Sequence, residues 1–280
     1  MAHSRSLDAS ICFSDEAGFL RKSLPGGGLA FLRREFDCEG LRKALAEPDS
    51  LFNDSSKMLK DSRSSKVALS SIDGVGTVFV KKHNSKSLRY AIRYLFRKSR
   101  AFRTWQGAWL LEQLGVPTPK PIAAVAFRKA FFLKSSHLIT EPIDGLLSAQ
   151  AYLKELLGSS KLETFLLEVM KGLAAMHGNG ISHGDLKLSN LAAVRSGAGV
   201  VFAGFMDLDS LKRRSGSLPE RLCALELGRT AASISALSAE LHMPVKASDV
   251  AQTLARCYSA AGGAEIDPES ILEAAKNWME

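Results

Sequence analysis

The 280-residue chain has no CxxC pair, no His/Cys cluster with zinc-site spacing, no Gly-x-Gly-x-x-Gly stretch and no apolar run near the ~18 residues that span a bilayer. Its four cysteines, Cys12, Cys38, Cys223 and Cys257, are scattered, which predicts buried thiols in a reducing compartment rather than a disulfide framework. Asp8, Asp15 and Glu16 interrupt any apolar core of a secretory signal, so a cytoplasmic protein is expected, one that can still sit on a membrane surface. Acidic residues are missing altogether between Asp73 and Glu112. What remains is an ordinary globular composition, 46% hydrophobic and 24% charged, which excludes a disordered or collagen-like chain. The net charge of +8 indicates an anionic partner of some kind.

Turn signals and periodicity divide the chain. Residues 1–28 are Ser- and Gly-rich, end in Pro25-Gly26-Gly27-Gly28, and read as a loosely held leader. A strand is expected over 29–36 and a helix over 39–47, stopped by Pro48. Strands over 57–60, 67–72 and 77–82, joined by Asp61-Ser62-Arg63-Ser64-Ser65 and Asp73-Gly74-Val75-Gly76, form an antiparallel meander. A long helix is expected from Leu88 to Leu114, with a break near Ser99 and an end at Gly115. Strands over 122–126 and 131–140 lead to Glu141-Pro142. Beyond them the pattern is helical, except for two short strands, 191–194 and 200–206. The fold class is therefore α+β in two lobes: a small antiparallel sheet with one long helix, then a mainly helical half. Asp267-Pro268 opens the last helix.

Chemistry concentrates in His183-Gly184-Asp185-Leu186-Lys187-Leu188-Ser189-Asn190, spaced H-x-D-x-K-x-x-N behind the apolar helix face Leu166, Met170, Leu173, Ala174 and His177. Phosphoryl transfer needs a carboxylate for the acceptor proton, a cation for the phosphate charge and an oxygen ligand for Mg²⁺. Asp185, Lys187 and Asn190 offer all three, with His183 beside them. Asp207 follows at the end of an apolar strand, where it could hold a phosphate-bridging Mg²⁺. Upstream, Val78-Phe79-Val80-Lys81 is similar to the V-A-I-K strand, so Lys81 could reach ATP phosphates.

In this order the motifs resemble the protein kinase-like fold, most closely the lipopolysaccharide core kinases of the Kdo/WaaP family. The resemblance lies in LKDSRSSKV (59–67), VFVKKH (78–83), SRAFRTWQGAWLLEQLGVPTPKPIA (99–123), HLITEPIDG (137–145), ISHGDLKLSN (181–190) and FMDLDSLKRR (205–214). The HGDLK run is shared more widely, small-molecule phosphotransferases included. The resemblance implies a leader and extension over 1–56, a kinase-like N-lobe over 57–141 and a C-lobe over 142–280. It also implies ATP- and Mg²⁺-dependent phosphorylation of a Kdo or heptose hydroxyl in the lipid A–core region, at the cytoplasmic face of the inner membrane. Asp185 would be the base, Asn190 and Asp207 the metal ligands, Lys81 the phosphate anchor and Glu141 part of the adenine-contacting hinge.

Several positions depart from the kinase pattern. Ser62, Arg63, Ser64 and Ser65 occupy the nucleotide-loop position; they either cradle phosphates through hydroxyls, backbone N–H groups and Arg63, or form a simple turn. Thr104 stands before Trp105 where some relatives carry an acid, so Lys81 pairs with Asp207, with Glu112 or elsewhere. Glu226 either anchors the catalytic loop or is solvated. Nine of the chain's 37 Lys and Arg fall between Lys81 and Arg103, while acids and bases nearly balance elsewhere. Arg89, Arg93, Arg97 and Arg100 share one helical face beside Leu88, Ile92, Leu95 and Phe96, a pattern suited to an anionic membrane surface or to lipid A phosphates. No nucleic-acid-binding motif accompanies them. The competing readings are a pseudokinase that binds nucleotide or lipid without turnover, and a soluble small-molecule phosphotransferase.

Overall fold

The computed structural model describes residues 7–53, 55–84, 97–129, 132–157, 161–197 and 199–279, and the chain divides into two compact units. Unit one comprises Met1–Gln113 with Pro119–Pro142; unit two comprises Leu114–Thr118 with Ile143–Glu280.

Unit one is built on an antiparallel sheet. Its strands are β1 (Phe19–Leu24), β2 (Gly28–Arg33), β3 (Lys57–Asp61), β4 (Ser65–Ile72), β5 (Gly76–Asn84), β6 (Pro121–Lys129) and β7 (Phe132–Thr140), in the order β1-β2-β6-β7-β5-β4-β3. Alternation sets the faces: Val78 and Val80 of β5 are fully buried, while Phe79 between them and Lys81 after them are not. The interior strand β6 is covered on both faces, so Ile122–Ala126 read as a continuous apolar run. Ile122, Ala123 and Val125 pack with Leu41 and Leu45 of α1 (Glu39–Ala46). Ala124 and Ala126 pack with Phe102 and Trp105 of α2 (Arg100–Gln113).

Residues 7–28 are not a loose leader. Pro25-Gly26-Gly27 is a tight turn whose two glycines take φ of 72° and 79°, a region open to glycine, and it folds β1 against β2 as a hairpin at the sheet edge. Ahead of it, residues 8–12 are strapped to α2. Trp105 Nε1 donates to the Cys12 carbonyl at 2.7 Å, Gln106 Nε2 to Ala9 at 2.7 Å, and Trp109 Nε1 to Asp8 at 2.8 Å. Burial pushes the Cys12 thiol up to about 12. Helix α2 begins at Arg100, where the Ser99 hydroxyl accepts from the Phe102 N–H at 3.2 Å as a cap. Residues 97–99, expected within the long helix, are not helical, so Arg97 stands outside it; the part before them, with Arg89 and Arg93, lies outside the described residues. No helix among the described residues is long and apolar enough to cross a membrane.

Unit two is mainly helical: α3 (Ala149–Leu157), α4 (Lys161–Gly178), α5 (Glu220–Glu240), α6 (Ala247–Ala260) and α7 (Pro268–Lys276). Two small ladders are added. One pairs β8 (Ile181–Ser182) with β11 (Lys212–Arg213), and the other pairs β9 (Leu191–Ser196) with β10 (Gly199–Phe205). Asp267 caps α7 by accepting from the Glu269 N–H.

Trp105 is 1% exposed and joins the strap to the sheet. Trp105→Ala is expected to lower unfolding stability by about 3–5 kcal/mol in urea titrations, and to expose the Cys12 thiol to alkylation in the folded protein.

Candidate active site

The H-x-D-x-K-x-x-N loop connects β8 to β9 and is anchored by alternate residues. Leu186 and Leu188 are buried; Thr230 Oγ1 donates to the Leu186 carbonyl at 3.4 Å, and Tyr152 donates its hydroxyl to the Leu188 carbonyl at 2.7 Å. The Leu188 N–H donates to Ser233 Oγ at 3.0 Å. The charged residues between them, Asp185 and Lys187, keep side chains 25% and 39% exposed.

Glu226 of α5 holds the start of the loop. It is 7% exposed. Its carboxylate accepts from the His183 N–H at 3.0 Å and from the Gly184 N–H, and faces His177 Nε2 at 3.0 Å. This settles its role as the loop's anchor. Gly184 has φ of 79°, and a Cβ there would meet the Ser210 carbonyl at 2.5 Å, so the turn requires glycine.

His177, in the last turn of α4, also contacts the Tyr258 hydroxyl through Nδ1 at 2.8 Å. Burial opposes its charge, yet hydrogen bonding to Cys223 and Glu226 and the Glu226 charge push its pKa up to about 9. Burial raises the Glu226 carboxyl, but His177 and the Gly184 N–H outweigh it and hold Glu226 below the usual carboxylate range. The two form a buried ion pair with its remaining acceptor capacity filled by backbone.

His183 is fully buried and corrects its place among the catalytic candidates. Its Nε2 meets the Met206 carbonyl at 3.0 Å, and its Nδ1 accepts from the Asp185 N–H at 3.4 Å. Burial lowers its pKa, so the ring is neutral with the proton on Nε2. It is a positioning residue that ties the loop to the end of β10.

Asp185 has both oxygens engaged. Oδ1 pairs with Arg229 of α5. Oδ2 accepts from Asn190 Nδ2 at 3.2 Å and lies 3.5 Å from Lys187 Nζ. Asn190 also donates to the Asp185 carbonyl at 2.7 Å. Its amide nitrogen is thereby committed, and its oxygen is the donor left for a cation. The Asn190 carbonyl accepts from the Met206 N–H at 2.8 Å, which brings Asp207 beside the loop. Asp207 has φ of 60° and ψ of 49°, a left-handed conformation that a short polar side chain tolerates. Asn190 and Asp207 are an all-oxygen pair, the donor type Mg²⁺ takes alongside phosphates. Among the described residues no three His, Cys, Asp or Glu gather to hold a metal by themselves.

In unit one, Lys81 lies on β5 between β4 and β7, opposite Val67 and Leu138. Ser62 Oγ donates to the Ser65 carbonyl at 3.0 Å and contacts Ser64 Oγ at 3.2 Å, so these hydroxyls tie the 62–65 turn internally while Arg63 is exposed. Glu141 follows β7, its N–H donating to the Lys120 carbonyl at 2.9 Å. Glu112 is engaged by the buried Arg33, whose Nε also donates to the Pro121 carbonyl at 2.8 Å. Thr104 bonds back to the Arg100 carbonyl at 3.1 Å. Within the basic stretch, Lys82 is paired with Asp49 at 2.7 Å, and Lys98 sits 4.0 Å from the Phe13 ring centre.

Sequence reading missed Arg229 and Trp278. Trp278 follows α7, and its ring lies 3.8 Å from the Arg229 guanidinium carbon. The available signal was Glu226, Arg229 and Ser233 at i, i+3 and i+7, a polar stripe on a helix otherwise rich in Ala and Leu.

A family model described as the lipopolysaccharide kinase (Kdo/WaaP) family matches residues 54–233, more than half the chain. No curated protein matches. A solved structure of WaaP in complex with acyl carrier protein shares the fold, with a TM-score of 0.55 at 19% identity over 86% of this chain and 94% of that one.

Linkage gives the His177–Glu226 pair a pH signature. The raised His177 pKa contributes stability that is full below about 6.5 and is lost as pH rises through about 9. The depressed Glu226 pKa contributes stability present above about 4.5 and lost as pH falls through its lowered value. His177→Gln is expected to destabilise by about 3 kcal/mol near pH 6, a difference that shrinks towards zero by about pH 10 in urea titrations across pH. An equal loss at both pH values would show that the pair is not charged as described.

Proposed function

The chain belongs to the lipopolysaccharide kinase (Kdo/WaaP) family, phosphotransferases with an alcohol acceptor, and from that premise we propose that it phosphorylates a Kdo or heptose hydroxyl of the lipopolysaccharide inner core, with ATP and Mg²⁺, at the cytoplasmic face of the inner membrane. The observation that carries this reading is Asp185: a partly exposed carboxylate on a loop pinned by Glu226, with Asn190 and Lys187 at its side.

Asp185 accepts the proton of the acceptor hydroxyl as its oxygen bonds to the γ-phosphorus and the bond to the β-phosphate oxygen breaks. ATP, when bound, would supply the phosphoryl group, and Mg²⁺ would supply charge neutralisation. Asn190 and Asp207 are the residues that would hold the metal; the committed amide nitrogen of Asn190 supports its oxygen in that role. Lys81 anchors the phosphates, and Lys187 stabilises the transferring charge. Arg63 contacts phosphate, since the Ser62 hydroxyl and the Ser62 and Ser65 N–H groups are tied within the 62–65 turn. Glu141 belongs to the adenine-contacting segment. Arg97 and Arg100 are the described members of the arginine set, with Arg89 and Arg93 in sequence before them, that would meet an anionic leaflet.

Asp185→Asn keeps the shape of the side chain while removing the base. It is expected to cut transfer of labelled γ-phosphate to lipopolysaccharide core by about 10²–10⁴-fold, with circular dichroism unchanged. Undiminished transfer would sink the assignment. The assay is run with and without acyl carrier protein, since the solved WaaP neighbour is a complex with one. For the membrane, binding to anionic liposomes is expected at low salt and should be lost at high ionic strength; binding to neutral liposomes that is insensitive to salt would count against the arginine face.

A further inference from the structure

Beside the loop lies an arrangement that phosphoryl transfer as described above does not use. Arg229 holds Asp185 Oδ1, and the Trp278 ring, 52% exposed, covers the same guanidinium. We propose that Arg229 and Trp278 form an acceptor subsite, an indole shelf with a guanidinium beneath it, that takes a sugar ring bearing an anionic group, and that this anion draws Arg229 off Asp185 and so frees the base. The proposal rests on the kinase reading and adds to it the chemistry of the acceptor.

Charge is the first argument. Asp185 is in contact with two cations, Lys187 and Arg229, one more than its own charge balances. The second cation is one that a ligand's anionic group can recruit without leaving Asp185 unpaired. Occupancy is the second. With Oδ1 on Arg229 and Oδ2 on Asn190 and Lys187, three of the carboxylate's about four acceptor positions are taken, and release of Arg229 opens Oδ1 fully to an acceptor hydroxyl. Lys187 can stay when Arg229 leaves, so the carboxylate is not stranded without a counter-charge. A competitor for a guanidinium is another oxyanion, which Arg binds through a planar fork. The buried Nε–H of Arg229 has no hydrogen-bond partner among the described residues and supplies a second donor to such a fork.

The third argument is that the shelf is built into the fold. Helices α5 and α7 meet at Gly228, the residue before Arg229. A Cβ at Gly228 would fall 2.6 Å from Ala274 Cβ and 2.8 Å from both the Ala275 nitrogen and the Ile271 carbonyl. Only glycine lets α7 approach this closely, and Trp278 continues directly from it, its N–H donating to the Ala275 carbonyl at 2.9 Å. An exposed indole held in place by a cation, one side chain from the base, is a surface on which the C–H face of a sugar ring can stack.

The test uses paired acceptors: a Kdo glycoside with its free carboxylate and the corresponding methyl ester, and a heptose with and without a phosphate. KM and kcat are measured for the wild-type protein, Trp278→Ala, Trp278→Phe and Arg229→Gln. Acceptor binding without ATP is followed in parallel by calorimetry. In the wild type at least one charged acceptor is expected to show a KM about tenfold below its neutral twin, and which one does so identifies carboxylate or phosphate as the anion. Trp278→Ala should raise the acceptor KM about tenfold with a much smaller change in kcat, and Trp278→Phe should restore most of it. Arg229→Gln should abolish the preference for charge. Equal KM values for charged and neutral twins, or an acceptor KM indifferent to Trp278→Ala, would overturn the subsite while leaving the kinase reading intact. If no acceptor is phosphorylated, the kinase reading fails on these sugars and calorimetry decides the subsite: charge-dependent binding lost in Arg229→Gln sustains it, and its absence overturns it.

Discussion

Everything at the catalytic loop depends on one buried carboxylate. Glu226 sits where water cannot solvate it, so its charge is tolerable only because His177 and two backbone N–H groups meet it. The backbone groups belong to His183 and Gly184, the two residues before Asp185. Moving the loop therefore means uncovering a buried charge, and breaking such a pair typically costs about 3–5 kcal/mol. The ion pair is poor evidence of stability as such. What it provides is position: α4 through His177, α5 through Glu226 and the loop through its backbone share one point. The neutral His183 extends the tie to β10, and with it to Asp207.

From that point outward, buried groups are positioned and exposed groups are charged. Leu186 and Leu188 are buried, with their carbonyls met by Thr230 and Tyr152 and the Leu188 N–H by Ser233. Asp185 and Lys187, which alternate with them along the loop, keep their side chains partly exposed. The same two-residue period that buries the loop thus presents its carboxylate and its ammonium together. A carboxylate so presented keeps fixed neighbours rather than water, the condition under which preorganised charge contributes most to a transition state.

The antiparallel sheet and most helices were legible because their signals are local. The Val78/Val80 alternation, the Asp267-Pro268 start of α7 and the H-x-D-x-K-x-x-N loop need only a few adjacent residues. The β1–β2 hairpin was hidden by an ambiguity of glycine. Pro25-Gly26-Gly27-Gly28 reads as flexibility in a sequence, yet positive φ at Gly26 and Gly27 is what a tight turn demands. The roles of Glu226, Arg33 and Arg229 were hidden by distance along the chain. Glu226 meets the loop 43 residues away and Arg229 meets Asp185 44 residues away, while Glu112 finds Arg33 across 79. Charge type and helical spacing mark such residues as candidates, but only the fold selects the partner.

The same holds for the net positive charge. Counted along the chain, it belongs to residues 81–103. In space, Lys82 is answered by Asp49 from outside the run, and Lys98 is drawn over Phe13, with burial lowering its pKa. A row of cations in sequence is thus not a row of equivalent cations in the fold. Near Asp185 the reverse occurs: Lys187 from the loop and Arg229 from α5, which no linear count would group, converge on one acid. A screened surface charge acts over about 10 Å at ordinary salt and selects little beyond sign. A guanidinium held between Asp185 and an indole acts at contact distance, where geometry as well as sign decides what can bind. Selection by geometry therefore belongs to the short-range contact at Asp185, while the long basic stretch selects by sign alone.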